Sequence, residues 1–363
     1  MLSVRAADFT LSDMTQVQTP SPKTFALLLI DGFALMSFAS TVEPLRAANT
    51  IAGREVYKMM CVSIDGNPVA SSVGALLPCQ AKVGDMIEAD TLLVCNGGRP
   101  WSFTDKKTFA WLRLLSRRGV RIGGVSGGPY VLARAGIMEG RHMTIHWEHA
   151  PALSEEFPDL LLTRSRYIID RDRLTCAGGI AALDMMHAII ADDYGKEFAT
   201  EVSDWFLHRD VALATSPQRA SLTQRYGIHR QDIIYAIELM ETNIATPLDR
   251  AAVAKRVGLS TRQIDRLFAS LLGASFADHY RAIRLERARN LLMQSALPIT
   301  EVALACGFAN ASHFSRAYST MFGIPPRRDR MNTARMIATP VSRMKDDRKQ
   351  VTGERSGVAI KHA

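Results

Sequence analysis

The sequence predicts two unlike domains, a doubly wound α/β domain on the amino side and an all-α domain on the carboxy side. Three observations predict them. Short β-branched or Leu-rich runs alternate with helical patterns from residue 23 to about 210, and three of those runs end in glycine clusters. Beyond residue 228 strand-like runs vanish and a helical region repeats itself. With 363 residues the chain exceeds the usual single-domain size, and a hydrophobic share of 47 % can fill two cores.

Taken in order, "TFALLLI" reads as a buried strand, "FASTVEPLRAANTIAG" as a helix and "YKMMCVSI" as a strand. "TLLVCNGG" is a strand ending in glycines, and "DKKTFAWLRLLSRRG" is an amphipathic helix. "VRIGGVS" is the next strand, "PYVLARAGIM" a helix, "HMTIHW" a strand, and a long helix begins near "IAALDMMHAIIADDYG". In open parallel sheets ligands sit beyond the carboxyl ends of the strands, so "CNGG", "GGVSGG" and "TCAGG" are expected on one rim. The polar, Pro-containing stretch "ATSPQRASLTQRYG" breaks the pattern. The expected organisation is a disordered segment over 1–22, the α/β domain over 23–212, a linker over 213–228, the helical domain over 229–332 and a disordered tail over 333–363.

The stretch "GGVSGGPYVLARAG" has the shape of a nucleophile elbow, with Ser126 at a glycine turn between strand and helix. Backbone N–H groups around Ser126 and Gly127 are expected to cradle a carboxylate or an oxyanion. A serine hydroxyl is a poor nucleophile without a base, and the following residue is Gly127; His146 in "TIHWEH" is the candidate partner.

The carboxy region matches itself. "VAKRVGLSTRQIDRLFASLLG" and "VALACGFANASHFSRAYSTMFG" share Val-Ala, a Gly five positions on, an Arg followed two positions later by an aromatic residue, and a closing Gly seven after the Arg. Each copy reads as a helix-turn-helix. Burial of Ile264, Leu267 and Phe268 leaves Arg262, Gln263, Asp265 and Arg266 facing out, and burial of Phe314, Ala317 and Tyr318 leaves Ser312, His313 and Arg316. Arginine reaches guanine O6 and N7 bidentately, and a helix of this width fits the major groove. Between the copies, "HYRAIRLERARNLLMQS" reads as one long helix whose Arg281, Arg284, Arg287 and Arg289 are candidate phosphate contacts.

Lys and Arg number 44 against 36 Asp and Glu, a net charge of +8 that favours a polyanionic partner. The five cysteines are scattered, without CxxC pairs or Cys/His ligand spacing, which fits reduced thiols in a cytoplasmic protein and predicts no metal and no cofactor. No stretch reads as a signal peptide or membrane span, so no membrane partner is expected.

On these residues, region 229 to 330 resembles the AraC family of transcription regulators, above all in "ITEVALACGFANASHFSRAYSTMFGIPPRRDR". Asp329 departs from it, standing where the family often has an aromatic residue. Residues 23 to 210 resemble the class-I glutamine-amidotransferase-like superfamily in its PfpI-type branch, which implies a flavodoxin-like sensor domain before the double helix-turn-helix domain. Enzymes of that superfamily carry Cys at the elbow, where this chain has Ser126. The stretches "FASTVEPLRAAN", "TIHWEHAPALSEEFP", "RDRLTCAGGIAALDMM" and "RQIDRLFASLLG" resemble regulators of glycine betaine, carnitine and arginine catabolism. The resemblance implies operator DNA, a small cationic or quaternary-ammonium effector and RNA polymerase as partners, activation of transcription, and compatibility with a homodimer. Glu43, Gly98, Trp101, Ser126, Gly127, His146 and Trp147 are then the candidate effector residues, with Trp147 or Trp101 as a cation–π face and Glu43 or Glu148 as a counter-charge; each Trp also reads as core and each Glu as a solvated charge. The alternative is a hydrolase or amidotransferase using Ser126, fused to a DNA-binding module.

Overall fold

The computed structural model describes residues 21–337. Most of the expected disordered segment over 1–22, and the tail beyond 337, lie outside the described residues. The strands are β1 (Lys23–Leu29), β2 (Tyr57–Ser63), a small hairpin of β3 (Val69–Ala70) and β4 (Leu76–Leu77), β5 (Ala81–Lys82), β6 (Thr91–Asn96), β7 (Arg121–Ser126), a pair made by β8 (His142–Met143) and β9 (Leu161–Leu162), β10 (Tyr167–Asp170) and β11 (Arg173–Cys176). The amino-side helices are α1 (Leu35–Ala52), α2 (Lys106–Arg117), α3 (Gly128–Arg134), α4 (Ala150–Glu156), α5 (Ala181–Tyr194) and α6 (Lys196–Trp205).

Seven strands form one sheet in the order β10-β11-β7-β6-β1-β2-β5, parallel except for β10. The alternation along β1 shows why helices cover both faces. Phe25, Leu27 and Leu29 pack with α1, α5 and α6, whereas Ala26, Leu28 and Ile30 belong to the core under α2, α3 and α4. The strand order reverses between β1 and β6, and because β6, β7 and β11 run parallel their carboxyl ends open on one rim.

The carboxy region is helical: α7 (Leu222–Tyr226), α8 (Gln231–Thr242), α9 (Arg250–Arg256), α10 (Thr261–Leu272), α11 (Phe276–Gln294), α12 (Ile299–Ala305), α13 (Ala311–Phe322) and α14 (Pro326–Ile337). The pairs α9/α10 and α12/α13 are the two helix-turn-helix units. Their turns close at Gly258 and Gly307, with φ of +72° and +71°, a region that side chains rarely adopt. The first unit has its own core of Ile233, Ile237, Val253, Ile264, Phe268 and Tyr280. The second shares a continuous core with the α/β domain, in which Leu285, Leu291, Val302 and Phe314 join Ala152 and Leu153 of α4.

Three expectations are corrected. Only His142–Met143 of "HMTIHW" is strand; the chain then turns, with the His149 and Ala150 amides donating to His146 O. The supposed linker is ordered structure: Ser165 bridges to Pro217, α7 starts on a Ser221/Gln224 capping box, and Ile228 is buried in the first unit's core. The last helix runs to Ile337, past the expected start of the tail at 333.

Candidate functional site

At the rim, β6 ends in Asn96, β7 in Ser126 and β11 leads into Gly178 and Gly179. Ser126 holds φ at +60° and is almost fully buried. Such a left-handed conformation in a residue with a Cβ costs about 1–2 kcal/mol and persists only where the surroundings impose it. Those surroundings are tight. A Cβ on Gly178 would lie 2.7 Å from both Ser126 Cβ and Ser37 Oγ, and the Gly179 amide donates to Ser37 Oγ at 2.7 Å. Asn96 Nδ2 is buried here without a hydrogen-bond partner among the described residues.

The elbow shape is present, but the chemistry expected of it is not assembled. The Gly127 amide, expected to face an anion, donates to Asn96 O at 3.0 Å. Among the described residues no histidine nitrogen is hydrogen-bonded to the Ser126 hydroxyl. His146 reaches the elbow only through its backbone, its amide donating to Ser126 O at 3.5 Å. Burial holds the His146 ring below the usual histidine pKa, with Glu148 opposing, and that ring lies 5.3 Å from Trp147 and 5.8 Å from His149.

The other effector candidates divide. Gly98 is exposed at φ +57° in open space beside the rim. Trp101 is a core residue, 6.3 Å from the His149 ring, and is no open aromatic face. Trp147 is 43 % exposed, but the guanidinium of Arg219 sits 4.6 Å from its ring centroid, so the chain's own cation already occupies the face expected for the effector. Glu43 is paired to Arg46 along α1 at 2.7 Å. Glu148 accepts from Gln294 Nε2 at 2.9 Å. Counter-charge and aromatic face are thus both engaged within the chain.

On the helical side, α10 starts with a reciprocal box in which Ser260 caps the Gln263 amide and Gln263 Oε1 accepts from the Ser260 amide at 2.8 Å. Gln263 is therefore a cap, and Asp265 is ion-paired with Arg250; neither is a free reader of bases. Arg262 and Arg266 stand exposed over the buried Ile264, Leu267 and Phe268. In the second unit Asn310 caps α13 by accepting from the His313 amide at 2.8 Å, while Ser312, His313 and Arg316 face out over Phe314 and Tyr318. His313, Arg316 and Arg281 line a groove of about 640 Å³ between α11 and α13.

The four arginines of α11 do not act alike. Arg281 is exposed beside Asp278. Arg284 donates to the carbonyls of Cys306 and Gly307, closing α12, and lies 4.3 Å from the Phe308 ring. Arg287 is half-buried, and burial lowers its pKa, with Cys306 and Glu155 opposing. Arg284 is not free for phosphate, because its guanidinium is engaged by the second unit, whereas Arg287 stays half-buried without closing a helix. Arg289 pairs with Asp329 at 3.1 Å and stacks on Phe322. Asp329 also accepts from Tyr318 Oη at 2.7 Å, so this residue anchors α14 to α13 and α11.

Comparison with known proteins sets these features in context. Residues 253–332 match the family described as "Helix-turn-helix domain", and residues 23–192 match the "DJ-1/PfpI family". The HTH-type transcriptional regulator GlxA of Rhizobium meliloti is 48 % identical over 300 residues, which cover 82 % of this chain and 93 % of the relative. The chain belongs to the AraC-type transcriptional regulators with a DJ-1/PfpI domain. In Pseudomonas aeruginosa the regulators GbdR and CdhR are each 37 % identical to it, covering 86 % and 84 % of this chain and 85 % and 91 % of their own. A crystal structure of an AraC family transcriptional regulator from Pseudomonas putida aligns with a TM-score of 0.46 at 26 % identity, over 51 % of this chain and all of that one. No helix among the described residues of this regulator is long and apolar enough to cross a membrane.

Residues that sequence reasoning missed are Gln218, Arg219, Asn290 and Gln294. The last two carried a signal: four positions apart, they interrupt the apolar stripe of α11 on one face.

Proposed function

We propose that this regulator binds operator DNA through Arg262 and Arg266 of α10 and Ser312, His313 and Arg316 of α13, under the control of a small molecule taken up at the glycine rim. The observation that carries the DNA reading is the pair of capped helices, each with an apolar back in a core and an exposed arginine on its free face. Two such helices joined by α11 suit successive major grooves on one DNA face.

The rim supports a binding role in preference to catalysis. Ser126 lacks a hydrogen-bonded base among the described residues, whereas the buried Asn96 Nδ2 leaves a donor for a ligand's acceptor to satisfy. The effector is a cationic or quaternary-ammonium amino-acid-like molecule, as the resemblance to regulators of betaine, carnitine and arginine catabolism suggests; the regulator acts in the cytoplasm as an activator, with RNA polymerase as a partner and a homodimer compatible with the fold. The hydrolase reading retains one observation in its favour, the strained φ of Ser126.

The test combines a melting screen with glycine betaine, carnitine and arginine, operator footprinting, and labelling by a serine-directed phosphonate. A ligand that binds only the folded protein raises its melting temperature by mass action. Ser126→Ala is expected to keep operator binding. Phosphonate labelling that Ser126→Ala abolishes would replace the binding role by hydrolase chemistry.

A further inference from the structure

We propose that residues 144–149 form a two-sided coupler, which links the glycine rim to the connector on one side and to α11 on the other. The proposal rests on the reading of the rim as the ligand site and names the route by which its occupancy reaches the DNA-binding units. Behind the segment, the His146 amide meets Ser126 O, and the Thr144 amide donates to Thr175 Oγ1 of β11 at 3.0 Å. On the connector side, Gln218 Nε2 donates to Thr144 Oγ1, Ile145 O and Ser165 O at 3.0, 3.0 and 2.7 Å, and Arg219 lies over Trp147. On the α11 side, Asn290 Nδ2 donates to Glu148 O at 3.0 Å and Gln294 Nε2 to Glu148 Oε1 at 2.9 Å. Gln294 Oε1 must then accept, so His149 Nδ1, 2.9 Å away, carries the proton.

His149 and Gln294 are both buried, so the Gln294 amide is satisfied only while Glu148 and His149 hold their places. A displacement of the segment by an ångström breaks both bonds together, and the contact is therefore made or lost as a unit. The unsatisfied groups point to a second arrangement. Five buried side-chain atoms lack partners among the described residues, and four of them lie on this route: Asn96 Nδ2 and Arg99 Nε near the rim, Gln218 Oε1 and Asn290 Oδ1 on the two latches. Such groups cost free energy that a bound ligand, for Asn96, or a rearranged state would recover. Docking also leaves Arg262, Arg266 and Arg316 exposed, so the segment holds the DNA-binding units without hiding their outer faces.

The experiment is amide hydrogen exchange on the full chain, with one substitution on each side. Gln218→Ala touches no atom of α11 that hydrogen-bonds to the segment, yet it is expected to raise exchange across 288–296 at least tenfold. Gln294→Leu, which keeps the volume and removes both bonds, is expected to do the same across 121–131; Asn290→Ala serves in its place if Gln294→Leu does not fold. Changes confined to the substituted side, or no change on either side, overturn the coupler. Melting shifts with glycine betaine, carnitine and arginine separate the two readings. If none of the three binds while far-side exchange responds, the ligand assignment fails and the coupler stands. Binding in the parent without a far-side response has the opposite meaning.

Discussion

Gly258 and Gly307 occupy the same place in the two repeats and hold nearly the same φ, yet Ala should be tolerated very differently at the two. At Gly258 a Cβ meets nothing within 4 Å, whereas at Gly307 it would lie 2.6 Å from Ile244 O and 2.8 Å from Cδ and Cγ of Pro247. Both substitutions meet the left-handed penalty of about 1–2 kcal/mol, partly offset by about 0.4–1 kcal/mol from the stiffer unfolded chain. Gly258→Ala is therefore expected to cost about 1 kcal/mol. Gly307→Ala also forces a carbonyl and a proline ring to retreat, and overpacking of that kind adds about 1–3 kcal/mol. All four tryptophans lie before residue 206, so their fluorescence does not see either turn directly. Exchange of 299–322 against 250–272, read in each variant, gives the local opening free energies. Gly307→Ala should exceed its twin by about 5- to 150-fold in opening, the equivalent of about 1–3 kcal/mol. Equal effects at the two glycines would refute the reasoning, since φ alone would then account for both.

Three further outcomes are expected. Arg266→Ala should weaken specific operator binding by about 1–3 kcal/mol with exchange unchanged, as footprinting and exchange together would show. Arg284→Ala should instead speed exchange over 299–307, because this side chain closes α12; unchanged exchange with uniformly weaker DNA binding would return it to the phosphate contacts. The third concerns acid. Burial first, then His146, lowers the His149 pKa from 6.5 to about 4, against the bond to Gln294. Between those values the unfolded chain takes up a proton that the folded chain refuses, so stability falls as pH drops through 6.5 towards 4, by about 2 kcal/mol at pH 5. His149→Gln should flatten that loss in melts followed by tryptophan fluorescence, and a parent and variant with the same pH profile would exclude His149 as its source.

Much of the architecture was legible because its signals are local. The unbroken apolar run of "TFALLLI", the glycines of the elbow and the repeated Gly and Arg spacings each depend on a few neighbouring residues. What escaped depends on tertiary partners. Gln263 has the composition of a base reader, but its nearest unsatisfied donor is the Ser260 amide, and the cap wins. Trp147 reads as an aromatic face for a cation, and nothing local reveals that Arg219, 72 positions on, will fill it. Arg284 and Arg287 look like their neighbours Arg281 and Arg289 until the second unit folds against α11. The polar connector misled for a related reason, since its hydrogen bonds go to residues far away in the sequence.

The division of the apolar cores bears on how the protein comes apart. The second helix-turn-helix unit shares its core with the α/β domain, while the first has a separate one that includes Ile228 of the connector. A boundary between units of cooperative unfolding therefore runs through α11, inside the DNA-binding domain, and not along the connector where the sequence divides. Mild denaturant should release the first unit while the second stays with the sensor. Grafting the helical domain onto another sensor would leave the face of Leu291, Asn290 and Gln294 without its counterpart, so the two parts of the chain constrain each other's sequence more than a modular fusion would.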